Sequence, residues 1–222
     1  MSANSPKLLT EPRQAHYLAL TIIVFLLFCG LSLLSQVMNP VFLLVTLMGI
    51  ALPLIWGRKT GNWKEMGFTK QNMGKALLWS GIAGILASSI GLVVLPKISS
   101  TKKLGIQLAI GIPIWALVAS PFQEFFFRSL LQTRFKKPLG DWWGLLTANT
   151  CFTLWHYFAP FVGRTTVPLD TLVGAISTFA AGFVYSYSFH KTRNIITPCL
   201  AHTLTGVTFI LVGAMDFTQS MW

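Results

Sequence analysis

Long uninterrupted runs of apolar residues, rather than stripes at helical spacing, dominate the hydrophobic pattern of this chain. A bilayer core takes about 20 consecutive apolar residues to cross as a helix. The pattern therefore predicts an all-α, polytopic membrane helix bundle of seven to eight transmembrane helices, the eighth being a half-helix in 57–74 or within the fourth run. The seven runs lie at about 17–38, 41–56, 76–96, 105–131, 142–160, 169–189 and 195–215.

The start of the chain differs from everything that follows. Residues 1–15 are polar and indicate a short cytoplasmic N-terminal tail, and residues 16–222 leave no room for a soluble domain. The first apolar run exceeds the roughly 7–15 residues of a signal-peptide core, and no small-residue cleavage site follows it. We therefore expect a single transmembrane domain over residues 16–222.

Basic residues are distributed unevenly between the two sides of the predicted bundle. The net charge is +11, and with the N-terminus inside, 12 of the 17 lysines and arginines fall in cytoplasmic segments and four fall outside. An excess of Lys and Arg in cytoplasmic loops sets the orientation of a membrane protein, so we predict a cytoplasmic N-terminus. These residues are expected to attract anionic lipid headgroups. Their distribution argues against nucleic acid as a partner.

Two of the runs carry small residues at every fourth position. In lipid, such strips let helices approach closely and gain packing energy. We interpret these strips as seams between helices rather than as sites. They comprise Ser80, Gly84 and Ser88 in the third run, and Gly174, Thr178, Gly182 and Ser186 in the sixth.

The fourth run is too long for one straight crossing. From Gly105 to Arg134 it would extend about 45 Å as a helix. Pro113 and Pro121 interrupt it, and residues 120–123 match an N-terminal capping box with proline at the first helical position. A helix broken at membrane depth is tolerated only where it is buried in protein or lines a wet cavity. The break therefore draws attention to the residues beside it.

One acidic and one basic side chain lie well inside the predicted spans, away from their ends, and are four residues apart. Glu124 and Arg128 share a helix face and can pair. A charge in hydrocarbon costs about 2.5–3.5 kcal/mol on insertion scales, which makes such a pair a functional-site hypothesis. Two interpretations stay open: an ion pair that orders the bundle, or a carboxylate poised by burial as a general base or metal ligand.

Two histidines also fall inside predicted spans, His156 in the fifth and His202 in the seventh. A lone buried histidine is usually a hydrogen-bonded structural residue. Two histidines on separate helices, with Glu124 on a third, are less easily explained as structural residues. Two His and one Glu can hold a catalytic zinc with an open position. Alternatively, Glu and His can activate a water directly.

These residues form a pattern that resembles the CAAX protease and bacteriocin-processing (CPBP) family of intramembrane endopeptidases. The family motifs are Glu-Glu-x-x-x-Arg, Phe-x-x-x-His and His-x-x-x-Asn/Asp. This chain has Gln123-Glu124-Phe-Phe-Phe-Arg128, then Phe152-x-x-x-His156, then His202. The order and spacing of the three motifs in successive helices extend the resemblance over roughly residues 75–215.

The resemblance implies a mechanism. The first glutamate of the pair and the histidine of the second motif activate a water for attack on a peptide carbonyl. The third motif's histidine and Asn/Asp stabilise the oxyanion. Here Gln123 stands in place of that first glutamate, and Gly206 stands in place of the Asn/Asp. The loss of one oxyanion donor typically costs about 10²–10³ in turnover.

Two functions of different classes follow. The chain is an endopeptidase that uses Glu124 and His156 to activate water, with or without zinc, on a peptide or membrane-protein substrate. Alternatively, it is a catalytically inactive relative that acts as a scaffold or stabilising partner of another membrane protein. A transporter is less favoured because no inverted repeat is visible. By family resemblance we expect a prokaryotic plasma membrane, although a thylakoid membrane would give the same pattern.

Overall fold

The computed structural model describes residues 11–94, 103–159 and 171–215, and 86% of them are helical. No strand occurs in these residues, so the predicted all-α fold is confirmed there. Two π-helical segments, Trp115–Ala119 and Phe125–Gln132, flank the short helix α5. The α-helices are α1 (Glu11–Leu34), α2 (Asn39–Thr60), α3 (Met73–Val94), α4 (Leu104–Ile114), α5 (Ser120–Glu124), α6 (Thr133–Phe158), α7 (Leu172–Thr192) and α8 (Ile196–Leu211).

Five helical stretches in the described ranges are long and apolar enough to cross a membrane, and α8 is a shorter apolar helix. Most of the predicted tail, residues 1–10, lies outside the described residues, and α1 begins at Glu11. The count of seven to eight crossings and the cytoplasmic N-terminus stay predictions. The five stretches are Gln14–Leu34, Pro40–Thr60, Met73–Val94, Leu104–Phe158 and Leu172–Thr192.

The stretch Leu104–Phe158 covers the predicted fourth and fifth runs, and it turns sharply at Gly140. Gly140 has φ 79° and ψ 176°, which glycine adopts far more readily than other residues. A Cβ at Gly144 would lie 2.5 Å from the backbone nitrogen of Lys136. In a straight helix, residues eight apart are separated by about 12 Å along the axis. The chain therefore folds back here, between the two predicted runs.

Helix α3 shows how the bundle is packed: small residues point inward and large ones point outward. Leu78 and Ile85 on α3 are 65% and 69% exposed. A Cβ at Gly84 would lie 2.8 Å from Leu204 Cδ1 on α8, so these helices are in direct contact. The predicted small-residue seams are confirmed on both α3 and α7. The buried residues of α3 are Ala76, Ser80, Ala83, Gly84, Ala87, Ser88 and Gly91.

A cluster of aromatic rings fixes the second π segment against α1 and α6. The Phe28 and Phe126 rings stack with centroids 3.9 Å apart, and the Phe127 and Trp155 ring centroids are 5.6 Å apart. The Trp155 indole donates to Ser32 Oγ at 2.7 Å. All four rings are fully buried. This packing holds one side of Phe125–Gln132, the segment that carries Arg128.

The 61–72 segment, which joins α2 to α3, is built into the bundle. The Met66 side chain is fully buried, and its carbonyl accepts a hydrogen bond from Ser129 Oγ at 2.6 Å. The Gly67 carbonyl accepts from the Ile195 N–H at 3.0 Å. Gly67 has φ +82°, and a Cβ there would lie 2.5 Å from the Phe189 ring. The segment is therefore held against both the second π segment and the α7–α8 junction.

Candidate functional site

The candidate site is built around α5, a helix of five residues with a π segment on each side. Such π segments are rare and frequently occur at functional sites. The predicted capping box at Ser120 is wrong: Ser120 has helical φ −69° and ψ −48°, and no side-chain cap at this helix start occurs among the described residues. The Ser120 hydroxyl instead lies 3.0 Å from Thr203 Oγ1 on α8. The chain thus changes its helical type here without interrupting the helix.

Glu124 is fully buried and both of its carboxylate oxygens are engaged. Its Oε1 lies 2.7 Å from Nδ1 of His202, and its Oε2 lies 3.2 Å from Nε of Arg128. An ionised carboxylate only accepts hydrogen bonds, so with Glu124 ionised the donor in this contact is the Nδ1–H of His202. The structure therefore brings together three of the predicted residues, from α5, the second π segment and α8.

Arg128 extends this cluster to α7. Its Nη2 donates to the Gly182 carbonyl at 2.9 Å, and its guanidinium carbon lies 4.1 Å from the centroid of the Phe152 ring. The side chain is fully buried. A buried ion pair is stable only when further hydrogen bonds satisfy its remaining groups. The Gly182 carbonyl supplies one such bond and the Phe152 ring a cation–π contact, whereas Nη1 of Arg128 has no hydrogen-bond partner among the described residues.

His156 lies near this cluster but is held separately. Its Nδ1–H donates to the Phe152 carbonyl at 2.7 Å, one helical turn back on α6. The rings of His156 and Phe152 meet edge to face at 4.4 Å. His156 and His202 line the same cavity of about 80 Å³. This volume exceeds the roughly 10–15 Å³ that one water requires. Glu124 does not line this cavity.

The sequence did not point to Tyr185, which belongs to the cluster. Its ring stacks on the His202 ring at 4.9 Å and 22°, and its hydroxyl donates to Thr205 Oγ1 at 2.7 Å. Tyr185 is three residues from Gly182 on α7, and this spacing places it on the buried seam. Its position beside the small-residue seam could therefore have indicated that Tyr185 is buried near the site, although a tyrosine by itself gives no such indication.

The position of Gly206 is filled by a residue that the sequence also did not single out. A Cβ at Gly206 would lie 2.2 Å from Cδ2 of Trp115, the first residue of the first π segment. The Trp115 ring centroid lies 5.4 Å from that of His202. The indole therefore occupies the space that the Asn or Asp side chain of the third motif would need. An oxyanion donor from that position does not fit this packing.

Gln123, in place of the family's first glutamate, is buried at 3% exposed. Its Oε1 has no hydrogen-bond partner within the described part of the chain. Gln123 is not among the residues that line the His156–His202 cavity. An amide holds no proton-accepting charge at neutral pH, so this position cannot supply the general base that the resemblance implies.

The expected zinc ligands do not form a metal site in the described residues. No group of three or more His, Cys, Asp and Glu side chains in 11–94, 103–159 and 171–215 has the arrangement to hold an ion. Glu124 and His202 face each other at hydrogen-bond distance, and the second oxygen of Glu124 faces Arg128. The donor set thus does not fit a zinc with three protein ligands.

The part of the chain that contains this site is similar to one known protein family. A family model described as type II CAAX prenyl endopeptidase, Rce1-like, matches residues 105–208. No curated protein and no solved structure gives a significant match to the chain. The matched range contains all three motifs as well as Trp115 and Gly206. Together with the apolar helices, the match supports an integral membrane protein. Over residues 105–208 the chain is thus similar to the Rce1-like CAAX endopeptidases, and this match is consistent with the CPBP family that its motifs resemble.

Proposed function

We propose that this chain is a catalytically silent CPBP-type membrane protein that binds and stabilises another membrane protein. One observation carries the proposal. Both oxygens of the Glu124 carboxylate are held, one by His202 and one by Arg128, and the side chain is fully buried. Among the described residues, Glu124 is the one carboxylate at the site. It does not line the His156–His202 cavity, so we infer that it does not activate a water there.

Two further observations support the loss of proteolysis. A general base must come within about 2.6–3.2 Å of the proton it removes, directly or through one water. Gln123 has no basic group, and it does not line the cavity in which His156 and His202 meet. Trp115 occupies the space beside Gly206 from which the second oxyanion donor would act. The glutamate base and the Asn/Asp oxyanion donor of the family motifs are thus both missing.

The retained charges have a structural role in this proposal. Glu124, Arg128 and His202 join α5, the second π segment and α8, and Arg128 also reaches the Gly182 carbonyl of α7. The removal of one partner from a buried ion pair typically costs about 3–5 kcal/mol. Selection for a stable bundle would therefore keep these residues after catalysis is lost.

The proposed topology has seven crossings, with the N-terminus cytoplasmic and residues 16–222 as one transmembrane domain. Leu104–Phe158 counts as two crossings because it folds back at Gly140, and α8 counts as the last. The proposed location is a prokaryotic plasma membrane, with a thylakoid membrane as the alternative. The proposed partners are membrane lipids with anionic headgroups and a membrane protein.

Co-purification tests the stabilising role. The wild-type chain and His156→Ala are purified side by side in a mild detergent, and all retained proteins are identified and quantified. We expect one partner in the same fixed ratio with both chains, because His156 is not needed for binding. A protein that accumulates only on His156→Ala would be a trapped substrate, and the proposal would be wrong.

An endopeptidase is the second candidate, and one observation favours it. His156 and His202 line one cavity that is large enough for water, together with the hydroxyl residues Ser177, Thr178 and Thr205. In this alternative, His156 accepts the proton of the attacking water. Accumulation of a full-length membrane protein in cells that carry His156→Ala would support it over the silent role.

A further inference from the structure

A second cavity, of about 490 Å³, lies on the side of α8 that carries Cys199. We call it the α5–α8 groove, and it shares no lining residue with the His156–His202 cavity. Its walls come from α5, the start of the second π segment, the first turns of α8 and the 61–72 segment. The lining residues are Gly67, Phe68, Thr69, Lys70, Pro121, Phe125, Asn194, Ile195, Ile196, Cys199 and Leu200.

The two long walls of the groove are apolar faces of helices. Pro121 and Phe125 are four residues apart on one wall, and Ile196, Cys199 and Leu200 follow a three-and-four spacing on the other. Residues at these spacings lie on one face of a helix. Leu200 is 38% exposed. The groove is therefore a slot between two helices that is open to the outside of the bundle.

The polar end of the groove is rigid. The Asn194 side chain is fully buried, and its Nδ2 donates to the carbonyls of Thr69 and Gln71 at 3.1 Å and 3.0 Å. Its Oδ1 accepts from the Ile196 N–H at 3.0 Å. These bonds tie the 61–72 segment to the start of α8. The groove is thus preformed, so little ordering is required when a ligand enters.

A positive charge stands at this end of the groove. Lys70 lines it, is exposed, and has no ion-pair or hydrogen-bond partner in the described part of the chain. The one acidic residue between 57 and 75 is Glu65, which pairs with Lys137 at 3.6 Å. Five basic residues in the same range leave a strong positive excess: Arg58, Lys59, Lys64, Lys70 and Lys75.

We propose that the α5–α8 groove holds one acyl chain of an anionic phospholipid, with the headgroup at Lys70. An apolar slot exposed to water is unfavourable, and a lipid tail from the surrounding bilayer is an apolar occupant that is always available. A cation at the interface attracts an anionic headgroup. The apolar walls and the charged end together match both parts of such a lipid.

The bound lipid would act on the part of the chain that carries the candidate site. Pro121 and Phe125 flank Gln123 and Glu124, so a tail in the groove packs directly against α5. The Phe125 ring is also held by the Phe68 ring, whose centroid lies 4.9 Å away. The lipid would therefore brace a short helix between two π segments. This inference does not depend on whether the chain cleaves peptides.

Lipid retention measured by native mass spectrometry tests the proposal. The detergent-purified chain is incubated with equal amounts of phosphatidylglycerol and phosphatidylcholine. We expect one phosphatidylglycerol per chain, and at least about fivefold less retention by Lys70→Glu. Lys75→Glu is the matched control, since it makes the same charge change at an exposed lysine outside the groove. Its retention should equal that of the wild type.

A second variant tests the apolar part of the groove. Leu200→Trp should fill the slot and reduce retention of both lipids, whereas Leu78→Trp on the exposed face of α3 should not. Equal losses in Lys70→Glu and Lys75→Glu would mean general surface attraction and would overturn the proposal. Equal retention of both lipids by the wild type would also overturn it. A peptide or isoprenoid found in place of phospholipid would do the same.

Discussion

The short segment from Pro121 to Arg128 has two contrasting sides. On one side, Glu124 and Arg128 are fully buried and bonded to groups of α7 and α8. On the other side, Pro121 and Phe125 line an open apolar groove. The side that carries the motif residues Glu124 and Arg128 is the closed one. The difference teaches that the charged side is closed and packed against other helices, while the accessible side is apolar.

The largest expected effect comes from breaking the closed side. Glu124→Ala leaves Arg128 buried without its carboxylate and His202 without its acceptor. We expect the free energy of unfolding, measured by denaturation in mixed micelles, to fall by about 3–5 kcal/mol.

A double variant provides the control for that measurement. Glu124→Leu with Arg128→Met removes both charges and should recover most of the lost stability, since an apolar replacement of a buried ion pair is often neutral or stabilising. A loss for Glu124→Ala no larger than that of a surface substitution, about 0.5 kcal/mol, would contradict a structural role for the cluster.

The next effect concerns the space beside Gly206. Gly206→Asn restores the residue type of the third motif but places its Cβ against the Trp115 indole. We expect it to destabilise the chain by about 1–3 kcal/mol, the usual cost of an overpacked core. Thermal unfolding in detergent measures this loss.

Trp115→Ala combined with Gly206→Asn separates a clash from a general intolerance of asparagine. If the indole is the obstacle, the double variant is more stable than the sum of the two single effects predicts. Strictly additive effects would mean that Trp115 and position 206 do not compete for the same space.

The smallest of these effects is expected at Tyr185. Tyr185→Phe removes the hydrogen bond to Thr205 but keeps the ring that stacks on His202. Hydrogen bonds between membrane helices are worth about 0.6 kcal/mol on average, so a loss of about this size is expected in the same unfolding assay. Tyr185→Ala, which also removes the ring, should cost several times more.

The general fold and the pair Glu124–Arg128 could be predicted from the sequence because they depend on local patterns. Apolar runs give the helices, and a spacing of four residues places the two charges on one helix face. The contact between Glu124 and His202 agrees with the expected convergence of the motifs. The helices and the Glu124–Arg128 pair require no knowledge of how the helices are rotated against one another.

Other features depend on helix rotation and were not predictable. The two π segments change the direction of every side chain around Gln123, and the proline and serine at 120–121 suggested a helix start instead. Trp115 and Gly206 are far apart in the sequence, and their contact exists only in the packed bundle. His156 was expected among three metal ligands, but no three His, Cys, Asp or Glu side chains in the described residues are arranged to hold an ion.

The central claim is that this chain does not use His156 to cleave peptides. The most direct test compares new peptide termini in membranes from cells that express either the wild-type chain or His156→Ala at equal levels. Our account predicts identical sets of termini, because neither Gln123 nor Glu124 lines the cavity that His156 shares with His202. A terminus that is present with the wild type and lost with His156→Ala would contradict it.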